Sequence, residues 1–254
     1  MREMLVSCVM PTYGRREWVP LALRCWQEQT YPRRELIVVD DGPQPCCDLV
    51  ESLRDSRIRY THLGGRSSIG QKLNYGIRMA RGEITALWAD DDYHAPWRLT
   101  YQVKELLGSK AGLCGCDSIH YWDMERGEMW RYDFSPLTRS DDYVVGGTML
   151  FWWQFWVERP FDVQPGSGED WRFIMGRGPL LGTLDNTFYL GTIHGGNYSP
   201  KEHELRGYSP NWSRTVGGPL DLAPGWWVDG VRAIHECCRS TNARIPEAEA
   251  EVVM

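Results

Sequence analysis

The apolar positions of this chain follow two rhythms, and the change between them falls near residue 110. Leu5 to Met10 is a short apolar run that stops at Pro11, the pattern of a buried parallel strand ending in a loop. Val19, Ala22, Leu23 and Trp26 then recur at helical spacing. Glu35 to Val39 predicts a second strand, ended by Asp40-Asp41-Gly42-Pro43, where the aspartates suit a turn and Gly-Pro breaks any helix. Ile58 to His62 predicts a third strand, and Ile69, Leu73, Ile77 and Ala80 mark one face of a helix closed by Gly82. Ile84 to Trp88 predicts a fourth strand. Asp90, Asp91 and Asp92 follow it directly, and Pro96 opens a helix with Leu99, Val103 and Leu106 on one face.

Such alternation predicts an α/β fold: a Rossmann-like, mostly parallel sheet with helices on both faces. Ligands of open α/β sheets sit beyond the carboxyl ends of the strands. Three polar loops reach that edge here: residues 11–15, 40–42 and 90–94. From Ala111 the pattern changes, with Ile119 to Asp123, Met129 to Asp133 and Tyr143 to Phe151 strand-like and no regular helices between them. That half reads as more antiparallel, with short helices at Trp152 to Val157 and Trp171 to Met175. The stretch after Gly195, rich in Pro, Gly, Asn and Ser, reads as loop, lid or tail.

Composition narrows the function classes. A chain of 254 residues, 42% hydrophobic, can bury one large core without a metal or disulfide scaffold. Its 28 basic and 34 acidic residues, net −6, make no case for broad phosphate-backbone binding. No segment approaches the roughly 18 consecutive apolar residues of a membrane helix, and MREMLVSCVM is too short for a signal peptide, so the expectation is a cytoplasmic protein. The eight cysteines are expected to be reduced: Cys46-Cys47 and Cys237-Cys238 are adjacent pairs, and Cys114-Gly-Cys116 lacks CxxC spacing.

The aspartate triplet carries the sharpest chemistry. Carboxylate oxygens suit Mg²⁺ or Mn²⁺, hard cations that keep waters and complete their shell with substrate phosphates. A helix cap before Pro96 needs one acidic group, and three adjacent ones repel unless a cation is present.

Five motifs occur in a family-like order: Pro11-Thr12-Tyr13, Val39-Asp40-Asp41-Gly42, Asp90 to Asp92 with Pro96-Trp97-Arg98-Leu99, Gly146-Gly147-Thr148, and Gly168-Glu169-Asp170-Trp171. Together they resemble the GT-A glycosyltransferases of family 2 over roughly residues 4 to 200. The resemblance implies a metal-dependent, inverting and non-processive transferase using a nucleotide-diphosphate sugar, with UDP favoured. It divides the chain into a nucleotide-sugar-binding half (1–110), an acceptor and catalytic half (111–200) and a C-terminal extension or lid (201–254).

Carried over by position, the resemblance implies that Tyr13 and Asp41 hold the nucleobase and that Pro11 and Thr12 shape the same loop. Lys72 and Asn74 would contact the donor. Counting back from Pro96 places the principal metal ligand on Asp91, with Asp92 beside it. Ala89 stands where the family often has its first aspartate, so Asp90 is expected to take over a sugar or ribose contact. Asp170 matches the catalytic base, with Glu169 as the fallback, and His194 matches a late metal or phosphate ligand. Gly146 and Gly147, read as strand residues, are expected to let the donor sugar approach. Of thirteen tryptophans, Trp26 and Trp88 should be core, while Trp152, Trp153, Trp171, Trp226 and Trp227 are candidates for an acceptor surface.

The competing functions are a sugar nucleotidyltransferase, which would carry a glycine-rich loop where this chain has PTYGRR, a non-catalytic carbohydrate-binding module, and a degenerate transferase. Neither QxxRW nor a membrane span supports processive synthesis. The acceptor is left open among glycan, lipid-linked intermediate, protein, metabolite and modified nucleic-acid base.

Overall fold

The computed structural model describes residues 3–133, 143–164, 168–183, 185–198 and 211–242. Its central strand is β1 (Val6–Thr12), buried at every position except half-buried Pro11. Parallel neighbours flank it, β2 (Arg34–Asp40) on one side and β4 (Ile84–Leu87) on the other, with Val6 opposite both Arg34 and Ile84. β3 (Ile58–His62) continues the parallel set beyond β2. On the far side, antiparallel β9 (Leu150–Trp152) joins β4 to β6 (Leu113–Gly115), and β10 (Leu180–Gly182) closes the edge, giving the order β10-β6-β9-β4-β1-β2-β3.

The near-continuous apolar strands reflect burial on both faces. Cys8, Met10, Leu36 and Val38 join a cluster with Val19, Leu23 and Trp26 of α1 (Val19–Gln27) and Leu99, Val103 and Leu106 of α4 (Arg98–Gly108). Val9, Ile37 and Val39 point the other way, onto Leu73 and Ile77 of α3 (Ile69–Met79). Ser68 starts α3 with a capping box, its hydroxyl accepting from Gln71 N while Gln71 accepts from Ser68 N. A short helix between β2 and β3, α2 (Cys47–Ser52), was not foreseen.

A second, mixed sheet runs β12 (Trp212–Arg214), β8 (Glu128–Asp133), β7 (Ser118–Asp123), β11 (Tyr189–Ile193), β5 (Tyr93–His94). Its β7–β11 pair is parallel and the others antiparallel. β5 follows the aspartate triplet at once, so those three residues bridge the two sheets. The short helices α5 (Trp153–Glu158) and α6 (Glu169–Ile174) stand where the aromatic runs predict them.

Two expectations are corrected. The stretch after Gly195 is not all loop or tail: α7 (Gly225–Asn242) buries Trp227, Val228 and Val231, and Trp227 meets the rings of Tyr93 and Trp122. Gly146–Thr148 forms one 3-10 turn, so the predicted strand from Tyr143 shrinks to β9. Cys8, Cys25, Cys46, Cys47, Cys114 and Cys116 form no disulfide, and burial pushes the Cys116 thiol up to about 12. Among the described residues no helix is long and apolar enough to cross a membrane.

The α3–β1 contact depends on Gly76, where a Cβ would lie 2.4 Å from Val9 Cγ1 and 3.2 Å from Val39 Cγ2. Gly76→Ala should therefore destabilise the fold by about 1–3 kcal/mol through overpacking, despite the roughly 1 kcal/mol helix preference of alanine. A urea unfolding midpoint equal to that of the native chain would contradict this close approach.

Candidate active site

The end of β4 and the start of β5 pin the acidic run, with Asp90 and Asp91 buried. Arg15 Nη1 lies 2.7 Å from Asp90 Oδ1 and 2.8 Å from Asp91 Oδ2. The same Asp91 oxygen lies 3.1 Å from His194 Nε2. Asp92 accepts from the Tyr189 hydroxyl and, at 2.8 Å, from Thr192 N. These environments separate three like groups. Burial opposes the Asp91 charge, but Arg15 and the His194 hydrogen bond outweigh it and hold this carboxyl down at about 2. Burial and then the Asp91 charge push Asp92 up to about 7, while burial, only partly offset by Arg15, raises Asp90.

Asp170 stands in the first turn of α6. Its Oδ2 accepts from the Tyr143 hydroxyl at 3.0 Å and its Oδ1 from Trp171 N at 2.7 Å, so the carboxylate is oriented on both oxygens. Asp170 and Glu169 line the same cavity, of about 220 Å³, as Asp90, Asp91 and Asp92. Burial and the neighbouring Asp170 charge push Glu169 up to about 7. The paired glycines line this cavity too, but for a different reason than expected. A Cβ on Gly146 would meet Asp170 Oδ2 at 2.8 Å, and one on Gly147 would overlap the Tyr189 hydroxyl, so they admit the protein's own polar side chains.

A larger adjoining cavity of about 900 Å³ is lined by Pro11, Thr12, Tyr13, Arg66 and Lys72, with Arg15, Asp90 and Asn197 shared between the two. The Arg66 guanidinium lies 3.9 Å from the Tyr13 ring centroid. Asp41 is set behind this wall, Oδ1 bonded to Lys72 Nζ at 2.6 Å and Oδ2 to Ser67 N at 2.6 Å. Asn74 does not reach either cavity: its Oδ1 accepts from Trp156 Nε1 and Phe161 N and its amide donates to Phe161 O, so it fixes the 161 segment to α3.

The tryptophan candidates thin out similarly. Trp227 is buried, Trp226 lies under Arg24, and Trp152 and Trp153 sit by Glu83 at the opposite edge of the sheet. Trp171, 40% exposed and in contact with the Tyr143 ring, stays beside Asp170.

A sequence model of Glycosyl transferase family 2 matches residues 7–162. The chain belongs to glycosyl transferase family 2. Escherichia coli K12 has a relative of this chain, the putative colanic acid biosynthesis glycosyl transferase WcaA, 29% identical over 182 residues, 67% of this chain and 65% of the relative. The amylovoran biosynthesis glycosyltransferase AmsB of Erwinia amylovora is 32% identical over 104 residues, 37% of this chain and 33% of that protein. The chain thus matches less than two thirds of the length of either. Solved structures show a similar fold at 17% identity. TarS 1–349 of S. aureus in complex with UDP-GlcNAc has TM-score 0.62, over 77% of this chain and 60% of that one. The mannosyltransferase PcManGT of Pyrobaculum calidifontis, in complex with GDP-Man and Mn²⁺, has TM-score 0.63, over 94% and 76%. The fold is GT-A, as the order of its motifs implies.

The residues of this family 2 chain fit a divalent ion of the kind its family implies. Two ligands about 2.1 Å from an octahedral ion and at right angles are about 3 Å apart, and Asp91 Oδ2 and His194 Nε2 are 3.1 Å apart. None of the described residues hydrogen-bonds buried Asp90 Oδ2. Among the described residues no three His, Cys, Asp or Glu side chains converge on one point. Asp92 is oriented by one hydrogen bond on each oxygen, from Tyr189 and Thr192 N, and burial and the Asp91 charge push its carboxyl up to about 7.

The site also holds residues that the sequence did not single out: Arg15, Tyr121, Tyr143, Tyr189 and Asn197. Arg15 follows the Pro-Thr-Tyr loop by two positions, a signal that was present. The tyrosines come from the mixed half, where no motif marked them.

Glu169 provides a stability test. Its folded value of about 7 lies above its ordinary 4.5, so the folded chain holds its proton longer and stability falls as pH rises through that window. Glu169→Gln should remove this share and, above pH 7, raise unfolding free energy by about 1–3 kcal/mol. Denaturant titrations of both proteins between pH 4.5 and 8 would show parallel curves if Glu169 were not perturbed.

Proposed function

We propose that this transferase moves one sugar from a UDP-sugar to an acceptor hydroxyl with inversion at the anomeric carbon and with help from Mn²⁺ or Mg²⁺. The observation that carries the reading is a shared cavity: Asp90, Asp91 and Asp92 line it together with Asp170, and His194 meets Asp91 through a hydrogen bond. Bound at Asp91 and His194, a divalent cation would neutralise charge growing on the leaving diphosphate, so no general acid is needed. Asp170 takes the proton of the acceptor hydroxyl as that oxygen attacks the face opposite the diphosphate. The Tyr143 hydroxyl and Trp171 N–H hold the two oxygens of the base in place, leaving each a free lone pair. Of the two carboxylates on α6, Asp170 is the better placed base because both of its oxygens are oriented, by the Tyr143 hydroxyl and Trp171 N.

The nucleoside belongs in the outer cavity, with its base on Tyr13. Stacking there is worth about 1–3 kcal/mol, against about 0.5–1 kcal/mol for an exposed cation–π contact, so the base displaces Arg66. Uridine is the base we favour, on the family resemblance of the Pro11-Thr12-Tyr13 loop and the UDP-GlcNAc complex of TarS, with Asp41 behind the wall fixing Lys72 and Ser67. The TarS complex with UDP-GlcNAc and the PcManGT complex with GDP-Man and Mn²⁺ support a nucleotide-diphosphate donor and make the base the property to test.

Thermal shift with UDP, GDP, CDP and dTDP, each with and without Mn²⁺, is expected to give metal-dependent stabilisation by UDP above the rest. A preference for GDP would overturn the choice of uridine. Asp91→Ala should lose the metal dependence altogether. Asp170→Asn should bind UDP as the native protein does while losing about 10²- to 10⁴-fold in transfer rate, and full activity in that variant would remove Asp170 as the base.

A further inference from the structure

Arg15 is held by three groups from two distant parts of the chain. One guanidinium nitrogen contacts both Asp90 Oδ1 and Asp91 Oδ2, and the other donates to Gly196 O at 2.5 Å. It therefore ties the acidic loop to residues 194–197, the segment that also delivers His194 and Asn197 to Asp91. Arg15 lines both cavities, standing where the outer groove opens into the pocket of Asp170. Glycine precedes it: Gly14, in the left-handed region at φ 59°, turns the chain out of the β1 loop and sets where the arginine side chain begins.

We propose that Arg15 is an exchangeable counter-ion: it neutralises Asp90 and Asp91 when no donor is bound, and transfers to the donor diphosphate when a divalent ion takes its place. This rests on the transferase reading and adds a residue and an order of events to it. The oxygen of Asp91 that faces His194 is the oxygen Arg15 already holds, so guanidinium and metal compete for one atom. A displaced guanidinium needs another anion. The diphosphate, which must pass between the two cavities, offers paired oxygens that match the planar fork of arginine. Metal and donor are thereby coupled through a protein side chain, because each makes the exchange easier for the other.

Arg15→Gln removes the charge and keeps much of the side-chain length. Free Mn²⁺ counted by electron paramagnetic resonance measures metal affinity without nucleotide, and calorimetry at saturating Mn²⁺ measures UDP affinity. Relative to the native protein, the variant should bind Mn²⁺ about tenfold more tightly and UDP about tenfold more weakly, the size expected for contacts to charged groups. Arg15→Lys, which keeps the charge but not the fork, guards against a folding defect: its Mn²⁺ affinity should stay near native while UDP binding weakens. A Gln variant whose Mn²⁺ affinity is unchanged or reduced overturns the competition, and unchanged UDP affinity overturns the transfer. If the native protein binds Mn²⁺ and UDP but the variants match it, only the role of Arg15 falls. A native protein that binds neither refutes this exchange together with the transferase reading beneath it.

Discussion

Three consecutive carboxyl groups at the buried end of a strand repel one another, and the architecture of the site answers that repulsion. Two like charges about 4 Å apart cost about 4 kcal/mol at the effective dielectric of a protein surface, and more deeper in. The chain answers with different means at each position. Asp91 is kept ionised by Arg15 and His194, Asp92 takes hydrogen bonds from Tyr189 and Thr192 N, and Asp90 shares Arg15 while leaving one oxygen without a partner among the described residues. Only Asp91 thus offers a full charge with a second ligand atom beside it. The same repulsion that would destabilise an empty acidic pocket makes it receptive to a divalent cation.

Holding that arrangement requires the corner between β4 and β5 to be rigid, and the material behind it is unusual for a core. Arg98 is fully buried, donating to Leu87 O, Gln102 Oε1 and His94 Nδ1 and lying over the rings of Trp88 and Tyr189. Burial and the Arg98 charge keep His94 neutral, and its other nitrogen meets Ala89 O, the residue before the triplet. A buried polar network with its members satisfied fixes geometry more tightly than apolar contacts of the same area. Asp170 receives comparable support from Tyr143, Trp171 N and the close approach of Gly146.

Local pattern reveals what depends on local pattern. The four parallel strands, α1, α3 and α4 stand within a few residues of the periodicity that predicts them, because strands buried on both faces are nearly all apolar and helices carry one apolar stripe. Motif spacing marks Asp91 and Asp170, and both line one cavity, with His194 hydrogen-bonded to Asp91. What failed depended on long-range contacts. Asn74 reads as a polar face residue until Phe161, distant in sequence, takes up its amide. Asp41 was placed on the groove wall, whereas Lys72 and Ser67 cover it. The glycine pair signals close approach without saying of what. Trp227, Val228 and Val231 carry a helical stripe, but the surrounding Gly, Pro and Asn obscured it.

The central claim is that one divalent ion sits between the acidic loop and residue 194, in the cavity that Asp170 faces. An anomalous-scattering map from crystals grown with Mn²⁺ and UDP tests it most directly. The account predicts one strong peak about 2 Å from both Asp91 Oδ2 and His194 Nε2, with diphosphate oxygens completing the shell and Arg15 turned onto them. A peak held away from Asp91, or nucleotide bound in the outer groove with no metal between it and the acidic loop, would contradict it.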